Sequence, residues 1–194
     1  FDGGFDDFDY VLVPTTNMFD VSDDQELTIS ANVRMDVDGG GKVFQAEQSY
    51  RYWFQIDKTT GWAELLIYNN EIGRLCSGTT NIKDGYSHNV AGIFYEGTMK
   101  IFVDGNIENT CNSGSGLIDS PLNQSTDITI GSGDLNPSYT HFSGYIDDLS
   151  IWNVALDESE IEDGPQTNDG LIANYKFNAG DGDILYDHPG NQNH

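Results

Sequence analysis

The sequence predicts an all-β fold in which two antiparallel sheets pack against each other as a sandwich. Short runs of alternating apolar and polar residues recur along the chain, and Gly, Asn and Asp residues separate them. Helix signals are confined to one brief segment. Many short strands joined by tight turns, with a single short helix, are typical of a two-sheet β sandwich.

The first two clear strands lie on either side of a glycine-rich segment. In Glu26–Met35, apolar residues occupy every second position, as in a half-buried strand. The stretch Tyr50–Asp57 alternates in the same way. The segment Asp36–Lys42 between them has the pattern D-x-D-G followed by two more glycines, which is typical of a hairpin turn.

Two further stretches, Ala63–Leu75 and His88–Cys111, predict β-hairpins, because apolar runs in them are interrupted by residue pairs that favour tight turns. We expect the turns at the pairs Asn69-Asn70, Glu96-Gly97 and Asp104-Gly105.

The last part of the chain contains three more strand patterns and the one helix signal. The strand patterns are Thr126–Gly133, Gly144–Asn153 and Gly170–Asn178. The helix lies between the second and third of these: Asp157 can cap it, Glu160 completes a capping box, and Gly164-Pro165 ends it. We expect residues 1–194 to form one domain, with a seam near residues 164–170 as the only candidate boundary.

Charge is the most unusual feature of the composition. The chain has 32 acidic and 8 basic residues, which gives a formal net charge of −24. Such a field repels nucleic acids and anionic lipids, so we exclude both as partners. The acids are open to two interpretations, a solvated surface suited to a salty medium and a set of calcium ligands.

No apolar run approaches the roughly 20 residues of a membrane-spanning helix, so we expect no membrane insertion. The sequence opens at Phe1 and shows no signal peptide, and we expect it to be a processed part of a larger protein. The two cysteines, Cys76 and Cys111, lack the spacing of a zinc site. They form a disulfide if the domain is secreted, and are free buried thiols if it is cytosolic.

Five segments in order carry the motifs of one known family. They are Phe1–Gly3 with Asp9–Pro14, Glu26–Val33, His88–Gly105, Phe142–Ile161 and Gly170–His194. The fourth, FSGYIDDLSIWNVALDESEI, matches F-x-G-x-I-D-D-[VL]-x-I-[WY]-N-x-A-L-x-x-x-E-I almost throughout. The chain therefore resembles the laminin-G-like and pentraxin-like domains of the concanavalin A-type lectin/glucanase superfamily. The resemblance implies a jelly-roll sandwich with a secreted or cell-surface location.

The sequence departs from the family pattern in two ways. Asn32 and Ser87 stand where the family usually has Trp. The segment 171–194 corresponds to one that commonly begins such a domain, yet here it ends the chain. It either supplies the closing strand and a calcium loop of this domain, which would place the two termini side by side, or begins a following repeat.

The resemblance also implies a structural calcium ion. In the family, the D-x-x-G-N-x-N loop and the I-D-D strand meet around this ion, which takes oxygen ligands. The corresponding residues are Asp147, Asp148, Asp187, Gly190, Asn191 and Asn193. Strand alternation puts only one of the two adjacent acids on the inner face. In the alternative without calcium, Asp148 accepts backbone hydrogen bonds and Asp147 points to solvent.

The sequence gives little support for catalysis. No strand has the E-x-D-x-x-E spacing by which related glucanases place a carboxylate pair, and Asp147 and Asp148 are adjacent and expected on opposite faces. The stretch Phe54–Lys58 has Asp57 where a polyuronate lyase would need His. We therefore predict that the chain is not an enzyme, although it would suit attachment to a polysaccharide-degrading enzyme.

Binding is the expected role, and sugars are the first candidate ligands. Sugars bind to aromatic faces beside Asn, Asp and backbone groups. One candidate set is Trp53, Trp62, Tyr68, Asn69 and Asn70, and a second, in the loop after Gly131, is Asp134, Asn136, Tyr139 and His141. Trp53 could instead belong to the core, whereas Trp62 follows a turn and is the better candidate for exposure.

We predict a lectin-like carbohydrate-binding module whose partner is a polysaccharide or another glycan. The alternative is an adhesion module of the same fold that binds a cell-surface protein.

Overall fold

The computed structural model describes residues 10–13, 19–46, 52–69, 71–114, 118, 128–133 and 141–178. These residues contain twelve strands and one helix. The elements are β1 (Val11–Val13), β2 (Glu26–Arg34), β3 (Gly41–Gln45), β4 (Tyr52–Ile56), β5 (Ala63–Asn69), β6 (Ile72–Ser77), β7 (Ser87–Tyr95), β8 (Thr98–Val103), β9 (Asn106–Asn112), β10 (Ile128–Ile130), β11 (Tyr145–Trp152), α1 (Glu158–Asp163) and β12 (Leu171–Tyr175).

The strands form two six-stranded antiparallel sheets. Sheet A has the order β1-β10-β3-β4-β5-β6, and sheet B has the order β12-β11-β2-β7-β8-β9. Neighbouring strands in both sheets run antiparallel. The predicted sandwich of two antiparallel sheets with one short helix is confirmed.

The core lies between the inner faces of the two sheets. Alternate residues of β2, such as Ile29 and Ala31, are fully buried there, as are Phe54 and Leu65 of sheet A. A Cβ added at Gly92 of β7 would lie 3.0 Å from Phe54 Cε2, so this glycine lets the sheets approach closely. The period-two pattern of the sequence thus sets which face of each strand is buried.

The tight turns of sheet B are as predicted. Glu96-Gly97 joins β7 to β8, and both residues have positive φ, at 45° and 79°. Asp104-Gly105 joins β8 to β9 with φ values of 50° and 75°. Two consecutive residues with positive φ are the signature of a type I′ hairpin turn, which suits the twist of the strands.

Two turn predictions in the first half of the chain need correction. Asn69 is the last residue of β5 and pairs with Ile72, so it is not part of the turn; Glu71, with a φ of 60°, is. The glycine-rich segment Asp36–Lys42 does not form a hairpin turn. It crosses from β2 in sheet B to β3 in sheet A, and the periodicity of the flanking strands carries no information on which sheet each strand joins.

Helix α1 begins and ends at the predicted residues. Asp157 accepts a hydrogen bond from the Glu160 backbone N–H, and the Glu160 side chain accepts one from the Asp157 N–H, which completes the capping box. Gly164 follows the last helical residue with a φ of 84°. Such reciprocal capping satisfies backbone donors that a short helix leaves without intrahelical partners.

Cys76 and Cys111 form a disulfide, so the alternative of two free thiols is excluded. Cys76 lies on β6 and Cys111 on β9, which are the edge strands of sheet A and sheet B on the same side of the sandwich. The bond therefore joins the two sheets covalently at one edge.

Strand β12 is the opposite edge strand of sheet B, where it pairs with β11. Its residues Ala173 and Tyr175 are almost fully buried in the core cluster. The first part of segment 171–194 therefore packs as a strand of this sandwich. Residues 179–194, and with them the expected meeting of the termini, lie outside the described residues.

Candidate functional site

The outer face of sheet A collects most of the predicted ligand-binding aromatics. On β4, the residues Tyr52, Phe54 and Ile56 point into the core, so Trp53 and Gln55 lie on the opposite face. We call this surface the sheet A face and define it by Lys42, Gln45, Trp53, Gln55, Trp62, Glu64, Leu66 and Tyr68.

An apolar and aromatic row runs across the sheet A face. The strand register aligns Gln45 with Trp53, Trp53 with Leu66, and Leu66 with Leu75. Tyr68 follows two positions after Leu66 and pairs with Gly73. A Cβ at Gly73 would lie 3.7 Å from Tyr68 Cε1, and Tyr68 is partly exposed.

A polar row lies next to it. The register aligns Lys42 with Gln55, Gln55 with Glu64, and Glu64 with Ser77. Gln55 Nε2 donates to Glu64 Oε2 at 2.6 Å, and Ser77 Oγ donates to Glu64 Oε1 at 2.9 Å. Hydrogen-bonding side chains of this kind are therefore fixed two residues along the strands from the aromatic row.

Trp53 is buried, although it lies outside the core cluster. It is 8% exposed, and the Lys42 ammonium lies 3.0 Å from the centroid of its ring, a cation–π contact. The alternative that Trp53 packs in the core is not what the structure shows. The ring belongs to the sheet A face, where its position is held by Lys42.

The loop after Gly131 starts beside the same row. Gln45 Nε2 donates to the Gly133 carbonyl, and Phe142 N–H donates to the Gly131 carbonyl at 2.8 Å, which brings the two ends of the loop together. His141, at the far end, is 7% exposed, and its ring centroid lies 6.5 Å from that of Tyr10. The loop residues Asp134, Asn136 and Tyr139 lie outside the described residues.

The other predicted ligand residues have different positions. Trp62 is partly exposed and stands two positions before Glu64, in phase with the sheet A face. Asn69 is in the opposite phase and 3% exposed, and its Nδ2 donates to the Ser113 carbonyl at 3.3 Å. Asn69 therefore ties β5 to the end of β9 instead of lying with the aromatics. Asn70 lies outside the described residues.

Sequence reasoning missed the polar members of the sheet A face: Lys42, Gln45, Gln55 and Glu64. Gln55 and Glu64 could have been found, because they stand two positions after Trp53 and Trp62. Lys42 and Gln45 gave no such signal. They lie on β3, where a register shift between Lys42 and Phe44 places two consecutive residues, Val43 and Phe44, in the core and hides the alternation.

The acid pair of β11 lies at a β-bulge. From Asp147 to Ser150 the chain advances three residues, while β2 opposite advances only two, from Asn32 to Ser30. Asp148 has a φ of 47°. The extra residue returns Leu149 to the core and leaves both acids on the outer side, so the expected placement on opposite faces is wrong.

These acids supply part of the predicted calcium ligand set. Asp147 is exposed and accepts from Asp148 N–H at 2.9 Å. Asp148 accepts from Asn32 Nδ2 at 3.3 Å, and Lys176 Nζ lies 3.9 Å from its other oxygen. Two neighbouring carboxylates on the outer side of the sheet are the type of ligand that calcium takes in proteins.

The other four predicted calcium ligands lie outside the described residues: Asp187, Gly190, Asn191 and Asn193. Within the ranges that are described, no group of three or more His, Cys, Asp or Glu side chains is placed to hold a metal ion.

The sequence matches the family model of the concanavalin A-like lectin/glucanases superfamily, Laminin_G_3, over residues 3–162. The chain therefore belongs to this family, and the resemblance inferred from its motifs is confirmed. No curated protein is significantly similar in sequence.

Solved structures show the same fold at low sequence identity. A putative carbohydrate-binding protein from Bacteroides ovatus matches with a TM-score of 0.71 and 17% identity over 94% of this chain. The match covers 54% of that protein, so this chain spans about half its length.

Two further matches come from animal proteins. A pentraxin from Limulus polyphemus matches with a TM-score of 0.56 and 17% identity, over 84% of this chain and 80% of its own. Domains LG4-5 of the mouse laminin α1 chain match with a TM-score of 0.60 and 15% identity, over 81% and 42%.

Proposed function

We propose that this chain is a non-catalytic carbohydrate-binding module that binds a glycan on the sheet A face. One observation carries the proposal: the partly exposed rings of Trp62 and Tyr68 are in phase on a single outer face, beside the buried Trp53, with amide, carboxylate and ammonium groups between them. Aromatic rings stack on the apolar faces of sugar rings, while fixed polar groups select the hydroxyl arrangement.

The burial of the polar residues supports this location. Lys42, Gln45 and Glu64 are each less than 9% exposed although they lie on an outer sheet face. Long polar side chains are seldom so buried unless they are held by partners. The hydrogen bonds from Gln55 and Ser77 to Glu64 supply such partners, so a glycan would meet a pre-organised surface.

The same arrangement argues against hydrolysis at this face. A retaining glycosidase needs two carboxyl groups about 5–5.5 Å apart. Among the described residues of the sheet A face, Glu64 is the one acid, and both its oxygens already accept hydrogen bonds.

A secreted or cell-surface location is part of the proposal. The disulfide between Cys76 and Cys111 supports it, because disulfides persist in oxidising compartments. No helix among the described residues has the length and apolar character to cross a membrane. The fold is shared with a bacterial protein described as carbohydrate-binding, which supports the proposal by analogy.

We also propose that a calcium ion binds at Asp147 and Asp148, with the remaining ligands from residues 187–193. Calcium should then raise the melting temperature of the wild-type protein more than magnesium does at equal concentration, and Asp148→Asn should remove the difference. The matched control is Asp38→Asn in the exposed β2–β3 connection. Equal responses of both variants would contradict the proposal.

The glycan proposal is tested first on an array of polysaccharides and glycans in millimolar calcium, with a chelated duplicate. For each glycan bound, we expect Trp62→Ala to weaken binding at least about tenfold, the loss of one stacking contact by a partly exposed ring. Tyr95→Ala, which removes a 46% exposed ring from sheet B, is the control and should bind as the wild type does. No glycan binding in either buffer would reject the proposal in favour of a protein-binding module.

A further inference from the structure

A groove on the other side of the molecule has the features of a second binding site. It has a volume of about 470 Å³ and lies between the outer face of sheet B and the segment around α1. Its lining includes Ser150 of β11 and Asn174 of β12. We call it the sheet B groove. The sandwich core separates it from the sheet A face.

The groove is strongly acidic. Asp104 and Asp148 line one part, and Glu160, Glu162 and Asp163 of α1 line another. No Lys or Arg is among the lining residues that the structure describes. Asp104, Asp148 and Glu160 have partners within the protein. Glu162 and Asp163 make no ion pair within the described ranges, so their charges face the groove uncompensated.

The neutral part of the lining suits a ligand with several hydroxyl groups. Asn174 Nδ2 donates to Ser150 Oγ at 2.7 Å, and Asn89 and Ser30 lie on the neighbouring strands. Trp152 also lines the groove. It is 5% exposed, and its Nε1 is buried without a hydrogen-bond acceptor among the described residues. Because a buried indole N–H normally finds a partner, this donor points to an acceptor from outside the described part of the chain.

We infer that the sheet B groove binds an amino-sugar unit with a free ammonium group, as in a de-N-acetylated glycan. The ammonium would pair with Glu162 and Asp163, and the hydroxyl groups would meet the Ser and Asn side chains and the Trp152 N–H. Uronates and sialic acids carry the wrong charge for this lining. The choice of a saccharide rests on the proposed function, whereas the location and the charge preference rest on the groove itself.

The test compares two oligosaccharides of equal length, the β-1,4-linked glucosamine hexamer and its fully N-acetylated counterpart. Calorimetric titration at about pH 5.5 keeps the ammonium groups charged and the carboxylates ionised. We expect the glucosamine hexamer to bind at least about tenfold more tightly, as for one well-placed charge pair.

Three variants locate the binding. The double variant Glu162→Gln/Asp163→Asn should lose at least about tenfold in affinity, since both charges that face the ligand are removed. Asp23→Asn/Asp38→Asn, which removes the same charge from exposed positions outside the groove, should lose little. Trp62→Ala should bind the hexamer as the wild type does.

The opposite results would overturn the inference. Absence of binding, equal affinity for both hexamers, or equal losses in the two double variants would each contradict it; the last would mean that bulk charge attracts the ligand. Loss of hexamer binding in Trp62→Ala would move the amino-sugar site to the sheet A face. Failure of the proposed function would instead appear as array ligands that bind independently of Trp62, which leaves the result at the groove unaffected.

Discussion

His88 lies between two carboxylates at the start of β7. Its Nδ1 is 2.8 Å from Asp104 Oδ2, and its Nε2 is 3.2 Å from Asp84 Oδ1. Burial lowers the pKa of His88, but the hydrogen bonds and charges of Asp104 and Asp84 outweigh burial and raise the pKa above its ordinary value of 6.5. The residue therefore clamps the loop before β7 to the β8–β9 turn when it is protonated.

This arrangement makes stability depend on pH near neutrality. Because the pKa of His88 is higher in the folded state, its contribution is fully present below the unfolded pKa of about 6.5 and is lost as pH rises through the folded pKa. We expect the difference in melting temperature between wild type and His88→Asn to be largest near pH 6 and to shrink towards pH 8.5. A difference that grows with pH would contradict this assignment.

The titration of Asp84 lies outside that pH window. The backbone N–H of Tyr86, and next the hydrogen bond with His88, lower the pKa of Asp84 below its ordinary 3.8. Asp84 therefore stays ionised throughout the measured range. A proton titration of His88 by NMR in the wild type and in Asp104→Asn is the direct check, and the variant should show the lower pKa.

Individual residues also show how far a sequence can define a site. Trp53 and Trp62 were predictable as ligand candidates, because strand alternation gives the face of each ring once the strand is recognised. The partner of Trp53 was not predictable. Lys42 meets it across β3 and β4, and a sequence shows neither which strands pair nor the register shift that sets this contact. The bulge at Asp148 was likewise not predictable, because it shows only when β11 is aligned with β2.

Helix α1 is short, so its stability depends strongly on its capping box. Asp157→Ala should lower the urea concentration at the midpoint of unfolding, because an orphan backbone donor at the helix start loses its acceptor. Asp163→Ala in the last turn is the matched control. It removes an acid from the negative end of the helix dipole and should be neutral or slightly stabilising. Urea denaturation of both variants measures the effect, and equal losses would contradict the role of the cap.

A second prediction at the level of the strands concerns the disulfide that joins the two edge strands. Cys76 and Cys111 are 35 residues apart, and a loop of that size is worth about 4 kcal/mol of unfolded-state entropy. We expect Cys76→Ser/Cys111→Ser to lose about that much stability by urea denaturation. Reduction of the wild type under native conditions should match the double variant. A loss below about 1 kcal/mol would show that the strands hold the edge without the bond.

Element prediction succeeded where tight turns mark the ends of the strands. β7, β8 and β9 are separated by turn residues with positive φ, so their pairing was predictable although five consecutive residues of β7 are buried. β3 was missed because all five of its residues are buried, which removes the alternation. The crossing from β2 to β3 was mistaken for a hairpin because its glycines satisfy either geometry.

The whole molecule carries a net charge of −24, which opposes its own compact state. Screening by salt should relieve this repulsion. We expect the melting temperature to rise by about 2–4 °C, equivalent to about 1 kcal/mol, between about 20 and 500 mM NaCl. An unchanged or falling melting temperature over this range would show that paired charges, rather than repulsion, dominate the surface.

The claim that a glycan binds on the sheet A face can be tested with the three tryptophans of the chain. Two of them, Trp53 and Trp62, report on that face, whereas Trp152 lines the sheet B groove. The decisive measurement is a titration of the ¹⁵N-labelled protein with a neutral glycan identified on the array, followed through the indole N–H signals. Shifts of the Trp53 and Trp62 signals with an unchanged Trp152 signal are predicted. A shift of Trp152 alone, or no shift of any of the three at a concentration that saturates binding, would contradict the account.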